Sequence, residues 1–131
     1  MKFRKMNPGF TLVEIMIVSA IIALIAAIAL PNMFRAKLSA NQSAAKATLK
    51  SISSAMENYA VINSIYPNTT AALLGASPPY LNTDFFNGTH NGYTFSSTLA
   101  DYSYTVIAEP VSAQAGTVTY TLTTGGVINP Q

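Results

Sequence analysis

The sequence predicts an α+β protein: one long N-terminal helix, its first half hydrophobic and transmembrane in character, packed through its second half against a small C-terminal antiparallel sheet of about three to four strands. Three observations carry this reading. Residues 10–30 are 21 consecutive positions whose only charge is Glu14. Beyond Pro31, apolar residues recur at spacings of three, four and seven, a helical period. From Tyr93 onward the apolar period falls to two, that of a strand.

With 131 residues the chain has room for one domain and a short appendage. Hydrophobic residues make up 50% and charged residues 9%, which is too apolar for a disordered chain and implies a non-aqueous neighbour. Seven Lys and Arg against five Asp and Glu give +2, but Lys2, Arg4 and Lys5 supply three of those positives. The remaining residues carry four positives against five negatives, so no nucleic-acid contact through a basic stripe is supported. The absence of cysteine removes disulfides, thiolate metal sites and cysteine nucleophiles together.

In the first element, 21 helical residues at about 1.5 Å each cover roughly 31 Å, one bilayer core. Lys2, Arg4 and Lys5 favour a cytoplasmic N-terminus, while Arg35 and Lys37 on the far side vote against it. A secretory signal is the competitor, with Ala27-Ile28-Ala29 resembling a cleavage site, but its apolar region runs only about 7 to 15 residues. Glu14 is the informative residue, because a carboxylate in an apolar run needs a partner unless it snorkels to the interface. No Lys, Arg or His lies between it and Arg35, so a neutralising cation must come from the N-terminal stretch, from a new N-terminal amine, or from another molecule.

The string Gly9-Phe10-Thr11-Leu12-Val13-Glu14, followed by the apolar run to Pro31, resembles the class III signal of type IV pilins and type II secretion pseudopilins. The likeness covers about 24 contiguous residues, through Leu12-Val13-Glu14-Ile15-Met16-Ile17-Val18 and Ala26-Ala27-Ile28-Ala29-Leu30-Pro31-Asn32. The resemblance implies a leader, 1–9, removed by a prepilin peptidase between Gly9 and Phe10, and N-methylation of the new Phe10 amine. It implies a filament-core helix over 10–31, in which Glu14 pairs with the Phe10 amine of a neighbouring copy, and a globular pilin domain over 32–131. The implied partners are further copies of the chain, the peptidase, an inner-membrane assembly platform and, before assembly, the lipid bilayer. The implied location is a bacterial inner membrane with the N-terminus cytoplasmic, then a surface pilus or a periplasmic pseudopilus. Many members have Gly where this chain has Ala23; alanine favours helix by about 0.8–1.0 kcal/mol, which leaves Pro31 as the expected kink or local opening.

The second element, a helix over about 32–62, shows the stripe Phe34, Leu38, Ala45, Leu49, Ile52, Met56 and Tyr59, with Gln42 filling its gap. Joined to the first, it makes one helix of over 50 residues. Pro67, Gly75, Pro78 and Pro79 punctuate a variable surface loop over 63–91, with one turn of helix at 70–74. The sheet follows over 92–131: Tyr93 and Phe95; then Tyr102, Tyr104, Val106 and Ala108; then Val118, Tyr120 and Leu122 alternating with Thr117, Thr119, Thr121 and Thr123. Gly125-Gly126 ends that run and Val127-Ile128 follows it. Short connections around Ala100 and over 113–116 favour an antiparallel meander.

Catalytic raw material is scarce. The sole histidine, His90, reads as a solvated turn residue, and no Gly-rich phosphate loop is present. Asp84, Asp101 and Glu109 are too scattered for the calcium site common in pseudopilins, so neither metal nor cofactor is predicted. Asn41, Asn68 and Asn87 open sequon-like triplets, and the tyrosines read as packing residues. The chain is thus read as a non-enzymatic filament subunit, with a monomeric membrane-tethered domain as the reading from a different class.

Overall fold

A single helix, α1 (Leu12–Asn63), runs for 52 residues with Pro31 inside it. It is followed by a short α2 (Ala71–Leu74) and by four strands, β1 (Tyr93–Ala100), β2 (Ser103–Pro110), β3 (Tyr120–Thr123) and β4 (Val127–Pro130). The computed structural model describes residues 9–131. Residues 1–8 of the expected leader, with Lys2, Arg4 and Lys5, lie outside the described residues. The chain divides into two units, one ending at Arg35 and one over Ala36–Gln131.

Among the described residues of the first unit, 9–35, only Ala26 is half-buried and the rest are exposed. Leu12, Ile15, Ile21, Leu24 and Ile28 are among them, apolar on all sides of the helix. A helix apolar all round has no face to offer water and needs a core or a membrane about it. The backbone stays helical through Pro31, without the local opening that its missing N–H makes available.

In the second unit α1 buries Ala45, Leu49, Ile52, Ser53, Ala55 and Met56. Ala45, Leu49, Ile52 and Met56 follow one another by four, three and four, so they fall on one face. That face meets Tyr93, Phe95, Tyr104, Val106, Ala108, Tyr120 and Leu122 in one core cluster. The strands form an antiparallel meander in the order β1-β2-β3-β4. Its register sets Phe95 opposite Ala108 and Val106 opposite Leu122, which keeps the buried set on one face.

Several expectations are corrected. Phe34 does not join the stripe: it lies before the covered face and is 55% exposed. The stretch 63–91 is not merely a surface loop, because Leu73 and Leu81 are in the core cluster. The Leu73 carbonyl accepts the N–H groups of both Tyr80 (2.9 Å) and Leu81 (3.1 Å), folding the loop back onto α2. Tyr102 is not a strand residue: β1 and β2 close at the pair Ala100–Ser103, leaving Asp101 and Tyr102 as the turn. β3 starts at Tyr120 rather than Thr117, since the preceding chain is held by other means. There, the Tyr93 hydroxyl donates to the Val118 carbonyl at 2.9 Å, and a Cβ on Gly116 would overlap the Tyr93 ring.

Candidate functional site

The candidate site is the start of α1. Gly9 and Phe10 precede the helix, and a Cβ built on Gly9 would meet nothing within 4 Å. Phe10 is 85% exposed, so the peptide bond between them is open to approach. Thr11 occupies the N-cap position and Glu14 is the third helical residue. The Glu14 N–H donates to Thr11 Oγ1 at 3.2 Å. In return Glu14 Oε2 accepts the Thr11 N–H at 2.7 Å and the Thr11 hydroxyl at 2.8 Å. This is a capping box, which satisfies orphan donors at a helix start reciprocally.

Sequence reading looked for a cation and missed this neutral partner three residues upstream. The signal was available: Thr-x-x-Glu before an apolar run is the pattern of a capping box. Among the described residues both bonds to this carboxylate fall on Oε2. The other polar side chain of the run, Ser19, donates to the Ile15 carbonyl at 2.7 Å. Each polar side chain of the apolar segment thus has a local hydrogen-bond partner, while the charge of Glu14 is not answered by these neutral groups.

A second polar cluster belongs to the globular unit. Glu57 Oε1 accepts the Tyr104 hydroxyl (3.0 Å) and the Gly125 N–H (3.2 Å), and Oε2 accepts the Tyr66 hydroxyl at 3.0 Å. The Tyr66 and Tyr104 rings meet edge to face with centroids 5.0 Å apart. Burial, with the Glu57 carboxylate as acceptor, pushes the Tyr104 phenol up to about 12 and raises Tyr66 in the same direction. Gly125 and Gly126 take φ of +82° and +77°, and a Cβ on Gly126 would lie 2.9 Å from Ser53 Oγ. This cluster ties helix, loop and the β3–β4 turn together.

His90 is half-buried rather than solvated, with its ring 5.4 Å from that of Phe85 and its Nε2 3.2 Å from the Asn87 carbonyl oxygen. Among the described residues no three His, Cys, Asp or Glu side chains come together to hold a metal; Asp84, Asp101 and Glu109 stay apart.

Residues 4–30 match the family described as the prokaryotic N-terminal methylation motif. The chain is 45% identical over 58 residues to the type IV major pilin protein PilA of Myxococcus xanthus, covering 44% of this chain and 26% of that protein. It is 41% identical over 66 residues to the type IV wide pilus major component PilA4 of Thermus thermophilus, half of each chain. It is 31% identical over 93 residues to the type II secretion system core protein G of Vibrio cholerae, covering 71% of this chain and 64% of that protein. The chain thus spans between about a quarter and two thirds of the length of these relatives. The motif at 4–30 thus opens a long apolar helix that leads into a four-stranded antiparallel sheet, the α+β pilin fold that the sequence predicts.

Proposed function

We propose that this chain is a prepilin: a membrane-inserted precursor cut between Gly9 and Phe10, then polymerised through residues 10–31 into a type IV pilus-like filament. The observation that carries the reading is a helix apolar on every side, uncovered by its own chain, whose start combines an open Gly9–Phe10 bond with a capped Glu14. Hydrolysis of that bond leaves a carboxylate on Gly9 and an amine on Phe10, and methylation keeps the amine cationic.

That cation answers the charge of Glu14. In a bundle of copies, the Phe10 amine of one helix meets Glu14 Oε1 of the next and both charges leave the apolar core as a pair. A subunit out of register would leave an uncompensated charge there, so the pair specifies register. The contact is heterologous and repeats without closing, which builds a filament rather than a ring. Extraction from lipid exchanges one apolar surround for another, so packing and polar pairing decide the assembly. Pro31 supplies the point at which the helix bends or opens to fit. The role is structural rather than enzymatic, at the inner membrane and then in the filament, for attachment, twitching motility or DNA uptake.

The second reading is a pseudopilin of a type II secretion system, with a short periplasmic filament. The similarity to core protein G, which extends over 71% of this chain, favours it. Intact-mass measurement of sheared surface filaments and of membranes separates the two readings. A chain starting at Phe10 with one methyl in the sheared fraction supports the pilus, and the same species confined to membranes supports the pseudopilus. A chain starting at Met1 in both refutes processing. Glu14→Ala is expected to abolish filaments while the protein still inserts; normal filament yield would overturn the pairing.

A further inference from the structure

The charges of the chain are sorted along its sequence. From Ile15 to Met56 it carries Arg35, Lys37, Lys46 and Lys50 and no acid, and from Glu57 onward it carries Glu57, Asp84, Asp101 and Glu109 and no Lys or Arg. The β1–β2 hairpin has one charge of each kind at its two ends. One end is the turn Asp101–Tyr102, beyond the closing pair Ala100–Ser103. Both turn residues are exposed, Tyr102 at 82%. The turn is held from behind, where the Asp101 carbonyl accepts the Tyr66 N–H at 2.8 Å.

The other end, beyond the pair Tyr93–Pro110, opens onto a surface cleft of about 290 Å³. Asn91 enters it from before β1, Ser112 and Gln114 from after β2, and Lys37 and Asn41 from α1. The lining offers an ammonium, amides and a hydroxyl, and contains no carboxylate. Glu109, the acid nearest to it in the chain, alternates with buried Ala108 and so lies on the face of β2 turned away from the core. The floor is fixed: Asn41 Nδ2 donates to the Ala115 carbonyl at 2.8 Å, and a Cβ on Gly92 would come within 2.7 Å of the Ala115 Cβ. Preset donors around one cation suit a carboxylate. Lys46 is engaged elsewhere, with its Nζ 5.0 Å from the centre of the Tyr120 ring, and Asp84 Oδ1 already accepts the Phe86 N–H at 3.0 Å.

The two ends of this hairpin do not meet within one molecule, since strands of eight residues at about 3.3 Å per step hold them roughly 23 Å apart. They can meet between molecules. We infer that the Asp101–Tyr102 turn of one copy seats in the Lys37 cleft of the next, with the Asp101 carboxylate facing the Lys37 ammonium and the Tyr102 ring covering the mouth. An exposed ion pair alone contributes little. Here the cleft adds hydrogen-bond donors, and a tyrosine adds contact area with a polar tip. Because the two surfaces lie at opposite ends of one unit, the contact is heterologous and leaves a free tip and a free cleft at every step. The inference rests on the filament reading and gives the globular units their own part in it.

The test is disulfide trapping in the full chain, which has no cysteine of its own. Tyr102 and Gln114 are both exposed, so the pair Tyr102→Cys, Gln114→Cys leaves the core untouched. Sheared filaments of this pair are expected to run without reductant as a ladder of multiples of the chain. Each single cysteine, and the pair Tyr102→Cys, Asn129→Cys, should run as monomer. Filaments without a ladder, or an equal ladder from the Asn129 pair, would overturn the contact and leave the filament reading standing. Dimers from Tyr102→Cys alone would make the contact tip to tip and overturn it also. Filaments absent from the unaltered chain would overturn both. Charge reversal then tests the pair itself. Asp101→Lys and Lys37→Asp are each expected to lower filament yield about tenfold, and their combination to restore it to within about twofold. No loss in the single variants, or no recovery in the double, would overturn the pairing.

Discussion

α1 carries two carboxylates, Glu14 and Glu57, and their surroundings differ in a way that separates the two units. Each accepts hydroxyl and amide donors. Those of Glu57 come from Tyr66, Tyr104 and Gly125, nine to 68 residues away in sequence, and the last two exist only once the sheet is folded. Those of Glu14 both come from Thr11, three residues away, and exist as soon as the helix starts. The long-range set locks a fold; the local set leaves the carboxylate exposed, where the proposed assembly brings a donor from another molecule. The same division holds for apolar side chains. Leu49 and Ile52 are covered by their own chain, while Leu24 is 65% exposed.

The largest effect that tests this contrast is in the core. Leu49→Ala and Ile52→Ala each remove a fully buried side chain and are expected to destabilise the globular unit by about 2–5 kcal/mol. Leu24→Ala in the other unit should leave the melting midpoint unchanged. Thermal melts in detergent followed by tyrosine circular dichroism read both, and a lowered midpoint for Leu24→Ala would break the comparison. A smaller effect attends Glu57→Ala, which removes the carboxylate that accepts the Tyr104 and Tyr66 hydroxyls and leaves Tyr104 the longer 3.4 Å contact to Ser53 Oγ. A cost of about 1–3 kcal/mol is expected for the loss of hydrogen bonds to a charged acceptor. Glu57→Gln, whose amide oxygen still accepts, should recover part of it.

The Glu57 cluster also predicts an alkaline limit. Tyr104 titrates at about 12 in the folded chain and at an ordinary tyrosine value of about 10 when unfolded. Between those values the unfolded chain releases its proton first, so the stabilisation is full below about pH 10 and is lost as pH rises toward 12. Tyr66 and Tyr93, both raised chiefly by burial, act in the same sense. Melting midpoints from pH 9 to 12 should fall, and fall less steeply in Tyr104→Phe.

How much of this was legible in the sequence follows the same division between local and distant causes. The helix was readable from an unbroken apolar run over 10–30 and a helical period beyond Pro31, and β2 from its period of two. Leu73 and Leu81 were not, because their burial depends on a loop folding back through the Leu73 carbonyl, which no local period records. Tyr102 was misplaced for a related reason. Alternation continues through it, and only the pairing of Ala100 with Ser103 shows that the strand has already ended. The Glu57 cluster joins four distant segments and left no spacing to find. At the candidate site, Gly9, Phe10 and Glu14 were readable as one short motif, while the Thr11 cap was passed over because the charge of Glu14 drew attention to cations alone.

Thr11 therefore supplies the finest test of the contrast between the two carboxylates. Thr11→Val keeps the shape of the side chain and removes the hydroxyl that donates to Glu14 Oε2 and accepts the Glu14 N–H. The Thr11 N–H bond to Oε2 survives, so the carboxylate is loosened rather than released. Losing an N-cap hydroxyl is expected to raise opening of the first helical turn by about fivefold. Hydrogen exchange at the Glu14 amide reads that opening, and the melt of the globular unit should not change. If Glu14 waits for a cation from another copy, Thr11→Val reduces filament yield without abolishing it, whereas Glu14→Ala abolishes it. Equal loss from both substitutions would mean that the capping box itself, rather than the charge it presents, is what assembly requires.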